Sequence, residues 1–172
     1  MTRKRIYFFT LMLLIPILSI AQVAKFKAVF TINFIRYIGW TEVSKEGDFV
    51  IGVVRGSEVA GWLKDLSAGK PFGNQNIIIK EFRSVEEIEN CNVIYVSSAV
   101  NMRNNGSIIL DKAKQKNGLI ICESDGATQY GAAINFVVRD DVLKYELHKA
   151  NAARMGLQFS TRLEGMATAI NL

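Results

Sequence analysis

His148 is the only histidine in the chain. A histidine-based metal cluster is therefore ruled out, and any serine or cysteine triad would have to be built around that one imidazole. Ser97, Ser98 and Ser124 offer hydroxyls, yet no glycine-flanked nucleophile elbow surrounds them. The acid pairs Glu86-Glu87 and Asp140-Asp141 fall on a predicted short helix and in a predicted turn. Charge in such places is solvated, whereas general acid–base chemistry needs a dry cleft. The residue types thus speak for binding, with no catalytic residues, cofactor or metal.

The binding chemistry gathers after three apolar runs. Arg55-Gly56-Ser57 follows Asp48–Val54, Ser97-Ser98 follows Cys91–Val96, and Asp125 follows Gly118–Glu123. If these runs are parallel strands, all of the residues lie at the carboxyl edge of one sheet, where open α/β folds bind ligands. A helix opening at Gly56-Ser57 offers free N–H groups to a carboxylate or phosphate, with Arg55 as counter-charge. The alternative is a plain serine N-cap beside a solvated arginine. Arg154 and Arg162 also carry two readings: a local salt bridge, or a guanidinium presented to an acidic partner surface.

The elements that must position these groups alternate in kind. Residues 24–40 place Phe26, Phe30, Phe34, Tyr37 and Ile38 on one stripe at helical spacing, with Trp40 closing the helix. This stripe fits a helix packed inside the monomer and equally one shared with a second copy in a homodimer. Strand, turn and helix then follow over 48–67, a strand over 76–82, a short serine-capped helix over 84–89 and a strand over 91–97. A helix over 101–116 and a strand over 118–123 complete the series. The pattern predicts a single three-layer α/β/α domain with a largely parallel sheet. Ala133–Arg139 and Val142–Leu147, separated only by Asp140-Asp141, predict an antiparallel C-terminal hairpin. His148–Met155 closes the chain before a partly helical segment, 157–170.

Composition sets the compartment. Met1–Arg5 is basic and Ile6–Ile20 is apolar apart from Thr10, Pro16 and Ser19, which reads as a secretory signal with cleavage after Ala21. The apolar run of about 15 residues is shorter than the roughly 20 needed to span a bilayer. Removing 1–21 takes away Arg3, Lys4 and Arg5 and lowers the net charge from +5 to +2. No basic cluster with interleaved aromatics remains in 22–172, which argues against nucleic acid as a partner. Export also makes a disulfide between Cys91 and Cys122 chemically feasible. Their places at opposite ends of neighbouring parallel strands favour two separate buried thiols instead.

Several segments carry a family likeness. Lys27–Trp40, Phe49–Val53, Asn90–Val93, Gly131–Phe136, and Ala153–Leu157 followed by Ser160–Leu163 come in the order and spacing of the YfiR/HmsC-like periplasmic proteins, which the chain resembles over nearly all of 22–172. The resemblance implies a periplasmic regulatory protein that binds an inner-membrane signalling protein and represses or otherwise modulates it. A diguanylate cyclase of cyclic di-GMP signalling and a sensor kinase are the implied kinds of partner. Its action would be a population shift in that receptor. The chain departs from the pattern in having no cysteine upstream of Cys91, Thr161 in place of a second serine, and Ala132 in place of a usual glycine. The alternative reading is a stand-alone binding domain for a small anionic cell-envelope ligand.

Overall fold

The computed structural model describes residues 15–171. The basic start and most of the apolar run of the expected leader lie outside that range. Helix α1 spans Ile15–Arg36, shorter at its carboxyl end than the aromatic stripe predicts. Tyr37 and Ile38 lie beyond it, and Ile38 pairs instead with Phe159 in a small antiparallel sheet of β1 (Ile38–Gly39) and β8 (Gln158–Phe159). The Trp40 indole N–H donates to the Ile35 carbonyl at 2.8 Å and so satisfies one of the orphan acceptors at the helix end.

The main sheet has seven strands in the order β3-β2-β4-β5-β6-β7-β9. They are β2 (Phe49–Val54), β3 (Ile77–Phe82), β4 (Val93–Val96), β5 (Leu119–Cys122), β6 (Ile134–Arg139), β7 (Val142–His148) and β9 (Ala169–Asn171). Pairings from β3 through to β6 are parallel, β6–β7 is antiparallel and β7–β9 is parallel again. Every residue of β4 and β5 is buried. That is why these strands read as unbroken apolar runs: both faces of a parallel sheet are covered.

Tyr95, Ile121 and Ile134 stand in register across β4, β5 and β6, on the face that also carries Phe136 and its partner Tyr145. Helix α1 covers that face. The Phe34 ring lies 4.8 Å from Tyr145 and 5.7 Å from Phe136, and Phe30 lies 6.0 Å and 6.2 Å from the same two rings. Helix α2 (Ser57–Ser67) packs beside α1, with Lys25 of α1 set 5.0 Å over the Trp62 ring. The connection from β4 to β5 runs through α3 (Met102–Ala113), in the direction opposite to that from β2 to β3. Right-handed crossovers therefore place α2 and α3 on opposite faces. The expected layered α/β architecture is the one observed.

The hairpin forms with Arg139 opposite Val142, so Asp140 and Asp141 make a two-residue turn with φ of 53° and 59°. Both residues take the left-handed conformation that such turns need and that aspartate tolerates. Two short helices follow the hairpin, α4 (Lys149–Arg154) before β8 and α5 (Thr161–Gly165) between β8 and β9.

One expected helix is absent. Residues 84–89 form bends and a turn, not a helix. Val85 and Ile88 are buried, which gives the segment a helix-like spacing. However, the Glu87 carboxylate accepts the Arg83 amide at 2.9 Å, and Asn90 swings to a φ of 47°, so the chain turns once and leaves. The two cysteines are free and buried. Val96 pairs with Cys122, so Cys91 lies five positions back along the adjacent segment, about 16 Å away at the usual strand rise and well outside disulfide reach. Burial pushes the Cys91 thiol up to about 11 and the Cys122 thiol well above its ordinary range, which keeps both protonated.

Candidate functional site

Strand order reverses between β2 and β4, because the first leads outward to β3 and the second outward to β5. At the carboxyl ends of such a pair the two following loops diverge to opposite faces and leave a crevice. Here the crevice is a cavity of about 510 Å³. Its lining brings together Arg55, Gly56 and Ser57 from the end of β2, Ser97 and Ser98 from the end of β4, Glu123 from the end of β5, and Lys27 from α1.

Arg55 adopts a φ of 54°. Its N–H donates to the Phe82 carbonyl at 3.0 Å, and its own carbonyl accepts the Ser97 hydroxyl at 2.8 Å. The backbone is thus fixed from both sides while the exposed guanidinium stays available. Ser97, expected as a free hydroxyl, is buried and committed to that carbonyl. The reading of Ser57 as an N-cap is also corrected: Gly56 occupies the cap position, makes no side-chain bond, and Ser57 is the first helical residue. The first intrahelical bond runs from the Ala60 amide to the Gly56 carbonyl at 2.9 Å. The amides of Ser57, Glu58 and Val59 are consequently left without intrahelical partners at the cavity wall.

Glu123 is the organising residue, and sequence reasoning missed it. One carboxylate oxygen accepts the Lys27 ammonium and, at 2.7 Å, the Tyr95 hydroxyl. The other accepts the Ser98 amide at 2.9 Å. The two side chains of the ion pair are only 10 % (Glu123) and 19 % (Lys27) exposed. Burial alone pushes the Glu123 carboxyl upward, but the bonds from Lys27, Tyr95 and the Ser98 amide outweigh it and hold the pKa below the ordinary carboxylate value. The same carboxylate, after burial itself, keeps the Tyr95 phenol far above its usual range. The signal that could have found this group is positional. Glu123 directly follows the apolar run of β5, and Lys27 is, with Lys25, one of two basic residues in the helix segment 24–35.

Asp125 does not join this cavity. It lies in the adjoining one, of about 500 Å³, with Ser98, Asn101, Arg103 and Tyr130. Arg154 and Arg162 are elsewhere, and neither has a carboxylate partner among the described residues. Arg154 donates to the Asn151 side chain at 3.3 Å, and Arg162 stacks 5.2 Å from the Tyr37 ring, beyond the end of α1 remote from Lys27. His148 caps α4 by accepting the Asn151 amide on Nδ1 at 3.3 Å. Among the described residues no group of three or more His, Cys, Asp or Glu side chains is placed to hold a metal ion. No described helix is long and apolar enough to cross a membrane.

A family model described as YfiR/HmsC-like matches residues 24–168. No curated protein sequence matches the chain. Among solved structures, the ABC domain from Streptococcus pneumonia in complex with L-Trp is similar at a TM-score of 0.51 and 10 % identity, over 71 % of this chain and 55 % of that one. A conserved domain protein from Vibrio cholerae O1 biovar El Tor str. N16961 aligns at a TM-score of 0.49 and 14 % identity, over 71 % of this chain and 54 % of that one. The chain spans about half the length of these structures, and the likeness to the first concerns the fold alone.

Proposed function

The chain belongs to the YfiR/HmsC-like family, and from that premise we propose that it is a periplasmic regulatory protein that binds and represses an inner-membrane signalling protein, a diguanylate cyclase or a sensor kinase. It has no chemistry of its own in this reading. The family match over residues 24–168 carries the proposal, and the basic-then-apolar start of the chain supports export. The site chemistry is consistent with it. The largely buried carboxylate of Glu123 accepts from three donors and fastens α1 to the sheet edge, a role in architecture and not in proton transfer.

Regulation then takes the form of a population shift: the complex favours the low-output state of the receptor by its differential affinity for that state. A second reading, a stand-alone domain for a small anionic envelope ligand, is favoured by the exposed Arg55 beside the uncapped start of α2. In that reading Arg55, Gly56, Ser57 and Ser98 hold the anion, Ser97 positions Arg55, and Asp125 stands in the next cavity.

Deleting the gene and measuring cellular cyclic di-GMP tests repression of a cyclase. A rise of several-fold, reversed by the wild-type chain, is the expected outcome. An unchanged level, together with unchanged phosphorylation of any co-encoded sensor kinase, would overturn it.

A further inference from the structure

Three cavities line the carboxyl edge of the sheet, and they adjoin. The central one shares Arg55, Gly56 and Ser57 with a cavity of about 560 Å³ that reaches Arg83 after β3. On its other side it shares Ser98 and Ala99 with the one of about 500 Å³ that holds Arg103 and Asp125. Together they adjoin in a row along the ends of β3, β2, β4 and β5 in their spatial order. We propose that this row is one groove and the docking surface for an extended acidic peptide segment of the partner. The proposal rests on the reading of the protein as a partner-binding regulator.

Length selects a peptide over a small anion. Four adjacent strands span three spacings of about 4.8 Å, or about 14 Å before the flanking loops are added. An extended chain covers that distance with about five residues. A phosphate or a free amino acid would occupy one of the three cavities and leave the other two unused.

Charge selects an acidic one. Arg83, Arg55 and Arg103 stand along the groove, are exposed, and have no ion-pair partner among the described residues. Of the acids that line the groove, Glu81 is engaged by Lys64 at 2.6 Å and Glu123 by Lys27. That leaves Glu58 and Asp125 against three arginines. The start of α2 faces the groove at Ser57 without a side-chain cap, that of α3 faces it at Met102 with its Asn104 amide held by Asn101, and helix N-termini add partial positive charge. A segment with carboxylates on alternate residues therefore meets arginine or helix amide along its whole path, while its backbone stays extended.

The probe is a fluorescein-labelled peptide of alternating glutamate and alanine, about eight residues long, titrated with the exported protein and followed by fluorescence anisotropy. Saturable binding is expected. It should weaken about tenfold in the variant Arg55→Gln/Arg83→Gln/Arg103→Gln and fall further with added salt. Because all three arginines are exposed, the variant should melt with the wild type, which the same samples can report. No saturable binding, or equal binding by the variant, overturns the groove. Displacement by inorganic phosphate at the peptide's own concentration also overturns it, in favour of a single small-anion site. A protein that ignores the peptide but retains an inner-membrane protein would lose the groove and keep its regulatory role. One that takes the peptide but retains no membrane protein would do the reverse.

Discussion

Replacing Lys27 by methionine is expected to lower the stability of the protein by about 3 kcal/mol, as removal of one partner from a buried ion pair does. The loss is set less by the missing attraction than by what remains. Glu123 stays 10 % exposed, without its cation, in a pocket where burial is the largest influence on its charge. The Tyr95 hydroxyl and the Ser98 amide still reach it but carry no positive charge.

The sign of the pH dependence follows from the same geometry. In the wild type the folded-state pKa of Glu123 lies below its unfolded value. The stabilisation is therefore complete above the ordinary carboxylate range and is lost as pH falls through the depressed folded value. A neutral carboxyl needs no cation, so the deficit of Lys27→Met should shrink over that acid window. Urea denaturation at neutral pH and in mild acid reads both effects. A double variant, Lys27→Met/Glu123→Gln, should lose less than the sum of the single variants, since the two groups are directly coupled. A neutral-pH stability equal to wild type for Lys27→Met would show that the pair holds nothing.

Phe34→Ala should be costlier still, about 4 kcal/mol by the usual measure for a buried phenylalanine. Phe34 is 1 % exposed and touches three rings, Phe30, Phe136 and Tyr145, at centroid distances of 5.9, 5.7 and 4.8 Å. Truncation leaves a cavity that the rigid sheet beneath cannot close. Phe26, two turns earlier on the same stripe, is 48 % exposed, and Phe26→Ala should change stability by no more than about 0.5 kcal/mol. Thermal unfolding of the two variants side by side separates them. Similar losses would contradict the packing described for α1.

The same helix marks how far sequence pattern reaches. Spacing at helical period identified the stripe, and Phe30 and Phe34 do face the core. Periodicity alone could not say that the first member of the stripe is left outside, or that Ile38 is buried by pairing with Phe159 and not by the helix. Strands β2, β4 and β5 were legible because burial on both faces leaves no polar residue to interrupt them, whereas the edge strand β3 carries Lys80 and Glu81. The Asp140-Asp141 hairpin was legible because only a two-residue turn fits between its arms. Residues 84–89 misled because Val85 and Ile88 are buried at a spacing of three, which one turn of chain satisfies as well as a helix does.

At the site, placement of Arg55, Ser57, Ser97 and Ser98 on one edge followed from strand direction alone. What could not be read was which polar groups are already spent. Ser97 is consumed by the Arg55 carbonyl and Glu123 by Lys27 from a helix 96 positions away. Bonds between residues so distant in sequence exist only once the sheet has formed.

The most direct measurement for the regulatory account is an affinity pull-down of residues 22–172, tagged at the C-terminus, from solubilised membranes of the native cell. The account predicts retention of one inner-membrane signalling protein, a cyclase or a sensor kinase, with its periplasmic portion sufficient for binding. Retention of no membrane protein, under conditions where the tagged chain is folded and recovered intact, would contradict it and leave the small-ligand domain as the standing description.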